Sequence, residues 1–194
     1  MSRATTLTAV IAAALLAGIF AGWFLGGRAP TDTTPRGGDF TLQSADGPVA
    51  LADLRGKVVL IYFGYASCPD VCPTSLALTA QGLALLGPEE LKRVQVLFIS
   101  VDPARDTPQK LKEYAAHFHP GITGVTGTPE AVADVARRYG AAFRPQKVES
   151  AAGYVVDHSS FTSVVAPDGK LVEQLPHGAL PAEIATVVRR TLNP

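Results

Sequence analysis

The chain has 194 residues, 47% of them hydrophobic, with 17 basic and 17 acidic side chains. That length suits one ordinary domain with a proper core, and the even charge balance lacks the basic footprint of a nucleic-acid binder, so no nucleic-acid partner is expected. Two cysteines are too few for a disulfide-reinforced scaffold, which leaves them for local chemistry.

A short tail, residues 1–6, precedes an uncharged apolar run over residues 7–27. At about 1.5 Å per residue, roughly 20 such residues cross the ~30 Å hydrocarbon core of a bilayer. Trp23 and Phe24 suit the interface at its end. The rival reading is a cleaved signal peptide. Its apolar part should be shorter and end in a small-x-small site, which Ala21-Gly22-Trp23 matches poorly. One transmembrane helix is therefore expected. Arg3 on one side and Arg28 and Arg36 on the other leave the positive-inside rule nearly balanced. A short tail before a long domain favours export, so the expectation is a single-pass protein of the cell inner membrane with its C-terminal domain on the periplasmic side. Residues 28–38 read as a linker and residues 39–194 as one domain without internal repeats.

Within the domain, residues 40–44 and 49–51 flank Ala45-Asp46-Gly47-Pro48 and predict a hairpin. Residues 58–65 form an apolar, β-branched run, the first buried strand. A helix follows over residues 73–86, with Pro73 in its first turn. Residues 94–101 predict a central parallel strand. Thr107-Pro108 opens a helix through His117, and Thr128-Pro129-Glu130 opens another that stops at Gly140. Residues 161–166 and 171–175 are strands joined by the turn Pro167-Asp168-Gly169-Lys170, and residues 180–192 close the chain as a helix. This order, β-α-β-α-(α)-β-β-α after an N-terminal β-hairpin extension, is that of an α/β thioredoxin-like fold.

The only cysteines lie between the first central strand and its helix, in Cys68-Pro69-Asp70-Val71-Cys72-Pro73. At this spacing on a helical turn they share one face, near enough to close a disulfide or to open as two thiolates toward one ion. Nearby helix N–H groups are expected to lower the thiol pKa. Two cysteines are too few for a cysteine-ligated iron–sulfur cluster, no second ligand pair signals structural zinc, and the spacing is not the CxxC of ordinary thioredoxins. Downstream, Tyr154-Val155-Val156-Asp157-His158-Ser159-Ser160-Phe161 occupies the stretch that packs against the dithiol in this fold, where redox members usually carry a cis-proline. No proline is present there, and His158 beside two thiolates makes an S₂N donor set. Thiolate softness favours Cu(I), whereas imidazole tolerates either copper state or zinc.

The segment from Gly64 through Tyr65, Cys68 and Cys72 to Pro73 resembles the metal motif of the Sco/SenC family. Ser100-Val101-Asp102-Pro103-Ala104-Arg105-Asp106-Thr107-Pro108 resembles its second signature and Val156-Asp157-His158-Ser159 its third. Ala66-Ser67 departs from the family pattern without removing a ligand. The resemblance implies a membrane-anchored, copper-binding thioredoxin-like metallochaperone. Its partner would be the copper-bearing subunit of cytochrome c oxidase or another copper chaperone, and its task would be assembly of the dinuclear copper centre. Carried over by motif, Cys68, Cys72 and His158 would hold copper as Cu(I), Cu(II) or both. The neighbouring Asp157 is a candidate to hydrogen-bond and orient His158, with a plain turn or capping role as the alternative. Oxidation of Cys68 and Cys72 to a disulfide would switch binding off. The competing reading is a membrane-anchored thiol-disulfide oxidoreductase acting on the oxidase subunit or another exported protein. Asp102, Arg105 and Asp106, on the loop after a central strand, are candidates for a docking surface. His117, His119 and His177 read as helix-end and turn residues, and Met1, the only methionine, supplies no thioether ligand to the domain.

Overall fold

The computed structural model describes residues 35–149 and 153–193. The expected tail, the anchor over residues 7–27 and most of the linker lie outside them. Among the described residues no helix is long and apolar enough to cross a membrane.

Strand β3 (Val58–Gly64) forms where all seven residues are apolar or glycine, and all seven are buried. Such a run can be satisfied only by partners on both edges and both faces. On one edge it pairs in parallel with β4 (Val94–Ser100) and on the other antiparallel with β8 (Thr162–Val165). With β5 (Ile122–Val125) and β9 (Leu171–Leu175) these make a five-stranded sheet in the order β5-β4-β3-β8-β9. The predicted hairpin before it is β1 (Thr41–Ser44) and β2 (Gly47–Ala50), with a turn two residues shorter than expected.

Helix α1 (Val71–Ala84) starts two residues before its predicted beginning, and α5 (Pro181–Leu192) packs against it. The two helices meet at Gly82, where an added Cβ would lie 2.9 Å from Ile184 Cγ2. A short helix, α2 (Pro88–Lys92), precedes β4; Glu90 at its third position accepts from the Gly87 N–H at 2.7 Å. Helices α3 (Pro108–Ala116) and α4 (Pro129–Arg138) begin where the sequence places them. Thr107 and Thr128 accept from the N–H groups of Lys110 and Ala131. Helix α4 ends before Gly140, at φ 72°.

The fold is thioredoxin-like as predicted, with three additions to the expected order. Two are the short helix α2 before β4 and strand β5 after α3. The third is a separate antiparallel ribbon, β6 (Phe143–Lys147) with β7 (Tyr154–His158), for which the sequence carries no strand expectation.

Candidate metal centre

Strand β3 runs through the core and ends at Gly64, the last position before the cysteine segment. Residues 65–67 turn, and the Cys68 N–H donates to the Tyr65 carbonyl at 3.1 Å. Helix α1 then begins at Val71, placing Cys72 in its first turn. The cysteines therefore do not share a helical face as the spacing suggested, because Cys68 precedes the helix. They meet because the turn folds back over the helix end. Cys72 is fully buried, whereas Cys68 keeps 9% of its surface. Gly64 leaves room for the deeper sulfur, since a Cβ there would lie 2.5 Å from Cys72 Sγ.

His158 arrives from the other direction, as the last residue of β7 opposite Phe143. Ser159 fastens that strand end through a reciprocal pair with Ala142. Its N–H donates to the Ala142 carbonyl at 2.9 Å, and its hydroxyl accepts from the Ala142 N–H at 3.0 Å. The ring nitrogen Nε2 then lies 3.2 Å from Cys72 Sγ and 3.9 Å from Cys68 Sγ. One donor atom from each of the three residues falls within 4.8 Å of the others, the only such group found among the described residues.

The electrostatics agree with a ligand role. His158 Nδ1 lies 2.9 Å from the Ser159 carbonyl. A carbonyl only accepts, so Nδ1 carries the proton and Nε2 presents its lone pair to the sulfurs. Burial holds the imidazole pKa below its ordinary value, opposed by the nearby backbone of Ser159 and Phe63 and by the Asp157 charge. A neutral imidazole is the ligating form. The rings of Tyr62 and Tyr65 stand edge-on to it, with centroids 6.2 and 5.8 Å away. For Cys72 the expected lowering does not occur. Burial pushes its thiol well above the ordinary range and outweighs the Tyr65 N–H directed at the sulfur. Both cysteines are free thiols. Two buried soft sulfurs and one imidazole nitrogen on a half-buried ring suit a thiophilic ion of low coordination number.

The remaining predicted residues land differently. Asp157 is exposed on β7, and the orienting hydrogen bond to His158 comes from the Ser159 carbonyl instead. Period-two alternation along β7 carries the adjacent side chains of Asp157 and His158 to opposite faces. The docking expectation fails for Asp102 and Asp106, which are 5% and 1% exposed and therefore cannot present a surface. Their carboxylates are occupied internally, with Arg105 paired to Asp102 and Lys110 to Asp106. His117 Nδ1 meets the Glu113 carbonyl, His119 accepts from the Gly121 N–H, and His177 meets the Ser75 hydroxyl. These are the helix-end and turn roles expected. Gly64, Tyr65 and Ser159 lie in the motifs the sequence shows, but sequence reasoning missed their roles, and it missed Tyr62 altogether.

A family profile described as SCO1/SenC matches residues 28–193. The chain is similar to yeast (Saccharomyces cerevisiae) mitochondrial SCO2, 41% identical over 72% of this chain and 47% of that protein. It is also similar to an SCO2-like protein of Rickettsia conorii, 38% identical over 81% of this chain and 78% of that one. The chain thus spans about half the length of the yeast relative. Among solved structures, Bradyrhizobium japonicum ScoI with copper bound superposes with a TM-score of 0.73 at 36% identity, covering 80% of this chain and 98% of that one. BsSco, described as a Sco-family cytochrome c oxidase assembly protein with a disulfide switch, superposes at 0.60 with 26% identity over 81% and 93%.

Proposed function

The chain belongs to the SCO1/SenC family, and we propose that it carries copper as cargo, held by Cys68, Cys72 and His158, toward assembly of cytochrome c oxidase. The observation that carries this reading is the convergence of two thiol sulfurs and one imidazole nitrogen within 4.8 Å. Copper bound to the Bradyrhizobium relative and the oxidase-assembly description of BsSco support the choice of ion and destination.

The residues divide the work of carrying. Cys72, buried at the helix end, anchors the ion, and ligation there has to displace a proton that burial holds tightly. His158 offers Nε2 in the neutral tautomer fixed by Ser159. Cys68, less enclosed than Cys72, and the half-buried His158 form the side from which a partner's ligands approach. Three protein ligands leave a position free, so the ion passes by ligand exchange without release to water. The acceptor is the copper-bearing subunit of the oxidase or another copper chaperone. Closing Cys68 and Cys72 as a disulfide removes both thiolates and is the off state. The apolar run of residues 7–27 supports a single-pass inner-membrane anchor, with the domain of residues 39–194 on the periplasmic side.

The competing oxidoreductase reading shares both cysteines and differs at the histidine. Titration of the reduced protein with Cu(I) against a competing chelator separates them. His158→Ala is expected to weaken copper binding by at least about ten-fold, in the range seen when a metal site loses supporting groups. It should leave dithiol turnover nearly intact. Unchanged copper affinity in that variant excludes His158 as a ligand.

A further inference from the structure

The cysteine segment and the histidine strand are far apart in sequence, with Cys68 and His158 separated by 90 positions. A third segment holds both. Asp106 accepts from the Ala66 N–H at 2.8 Å, two residues before Cys68, and from the Ser100 hydroxyl at 2.7 Å. Its other oxygen meets Lys110 Nζ at 2.8 Å, and that ammonium also reaches the Ser67 hydroxyl at 3.4 Å. Four residues earlier, Asp102 accepts from the Tyr154 hydroxyl at 2.7 Å and from the Arg105 guanidinium. Arg105 donates to the Tyr154 carbonyl at 2.9 Å and lies 3.6 Å from the centre of that ring. Tyr154 opens β7, and β7 ends on His158.

Two buried carboxylates in one loop are costly unless their oxygens are fully used. Here one is used on each half of the metal centre. We propose that residues 102–106 act as a positioning bracket that sets the Cys68 sulfur against the His158 ring. Asp106 holds the cysteine turn, and Asp102 with Arg105 holds the start of β7. None of the three is among the donor atoms of the centre. The inference rests on the copper reading of that centre, because it assigns the bracket the task of fixing the distance between its ligands.

Asp106→Asn preserves size but turns one acceptor oxygen into a donor that faces either Lys110 or the Ala66 N–H. In the reduced, metal-free protein the Ala66 amide should exchange with solvent several-fold faster, and iodoacetamide should alkylate Cys68 several-fold faster. Copper affinity should fall by about ten-fold or more, as for the outer partners of metal ligands. In a Cys68→Ser background the same substitution should cost little further affinity, because it acts through that sulfur. A general loss of stability would weaken both backgrounds alike. Tyr154→Phe tests the other arm without disturbing the cysteine turn, and should move the His158 ring resonances and weaken copper binding. The bracket is excluded by unchanged Ala66 exchange and Cys68 alkylation in Asp106→Asn, by equal copper losses in the two backgrounds, or by unmoved His158 resonances in Tyr154→Phe. If the unmodified protein binds no copper, the copper reading fails, while the metal-free measurements still decide whether residues 102–106 position Cys68.

Discussion

At the scale of single residues, the centre depends on atoms that are absent as much as on those present. Gly64 has no Cβ, and any Cβ there would come within 2.5 Å of Cys72 Sγ and 2.9 Å of the Phe98 ring. Neither neighbour can yield easily, since the sulfur is fully buried and Phe98 packs within the sheet core. Gly64→Ala is therefore expected to drive the Cys72 sulfur from its place and lower copper affinity markedly. Overpacking of this kind also destabilises by about 1–3 kcal/mol. Isothermal titration together with urea unfolding checks both effects, and unchanged affinity would show that the sulfur has slack. His158 shows the complementary case, in which a backbone carbonyl does the orienting expected of Asp157. A carboxylate beside a histidine in sequence is visible as a pattern. The carbonyl of Ser159 is not, because every residue has one and only the fold decides where it points.

Among the elements, the closest helix contact is that of α1 with α5. Gly82, in the last turn of α1, would by helix propensity alone be improved by alanine, by up to about 1 kcal/mol. Here the new methyl would lie 2.9 Å from Ile184 Cγ2, 3.0 Å from Ile184 Cβ and 3.2 Å from the Pro181 carbonyl oxygen. The Cβ and the carbonyl are fixed to the backbone, so overpacking of about 1–3 kcal/mol outweighs the propensity gain. Gly82→Ala should lower the urea midpoint, and a raised midpoint would mean that the helices separate freely. The elements most legible in the sequence were those with strong local signals. The continuous apolar run of β3 and the Thr-Pro starts of α3 and α4 are examples. Strand β5, Ile122–Val125, escaped because Gly124 interrupts a short run, and its glycine is needed where Leu111 of α3 approaches within 2.7 Å of a Cβ position. The ribbon β6–β7 escaped because Pro145 and three polar residues of Phe143–Lys147 give no alternation. Tyr154-Val155-Val156 carried the β signal, but its partner strand did not.

For the whole molecule, the metal centre is a product of tertiary assembly. The strand–turn–helix unit contributes two sulfurs, a ribbon outside the main sheet contributes the nitrogen, and residues 102–106 join them. The identity of the three candidate ligands was legible because cysteine and histidine are scarce in this chain and sit in recognisable motifs. Their arrangement was not, because it depends on where a turn folds back and on a strand whose partner is polar. The reversal of Asp102 and Asp106 from docking surface to buried support has the same origin. Charged residues on a loop are usually exposed, and only the surrounding Ala66, Ser100, Lys110 and Tyr154 groups make burial tolerable here. X-ray absorption at the copper edge of the reduced, copper-loaded protein reads that assembly most directly. One copper per chain with two sulfur ligands and one nitrogen ligand, the nitrogen vanishing in His158→Ala, is the expected result. Copper bound by sulfur alone in the unmodified protein, or no stoichiometric copper at all, would contradict it.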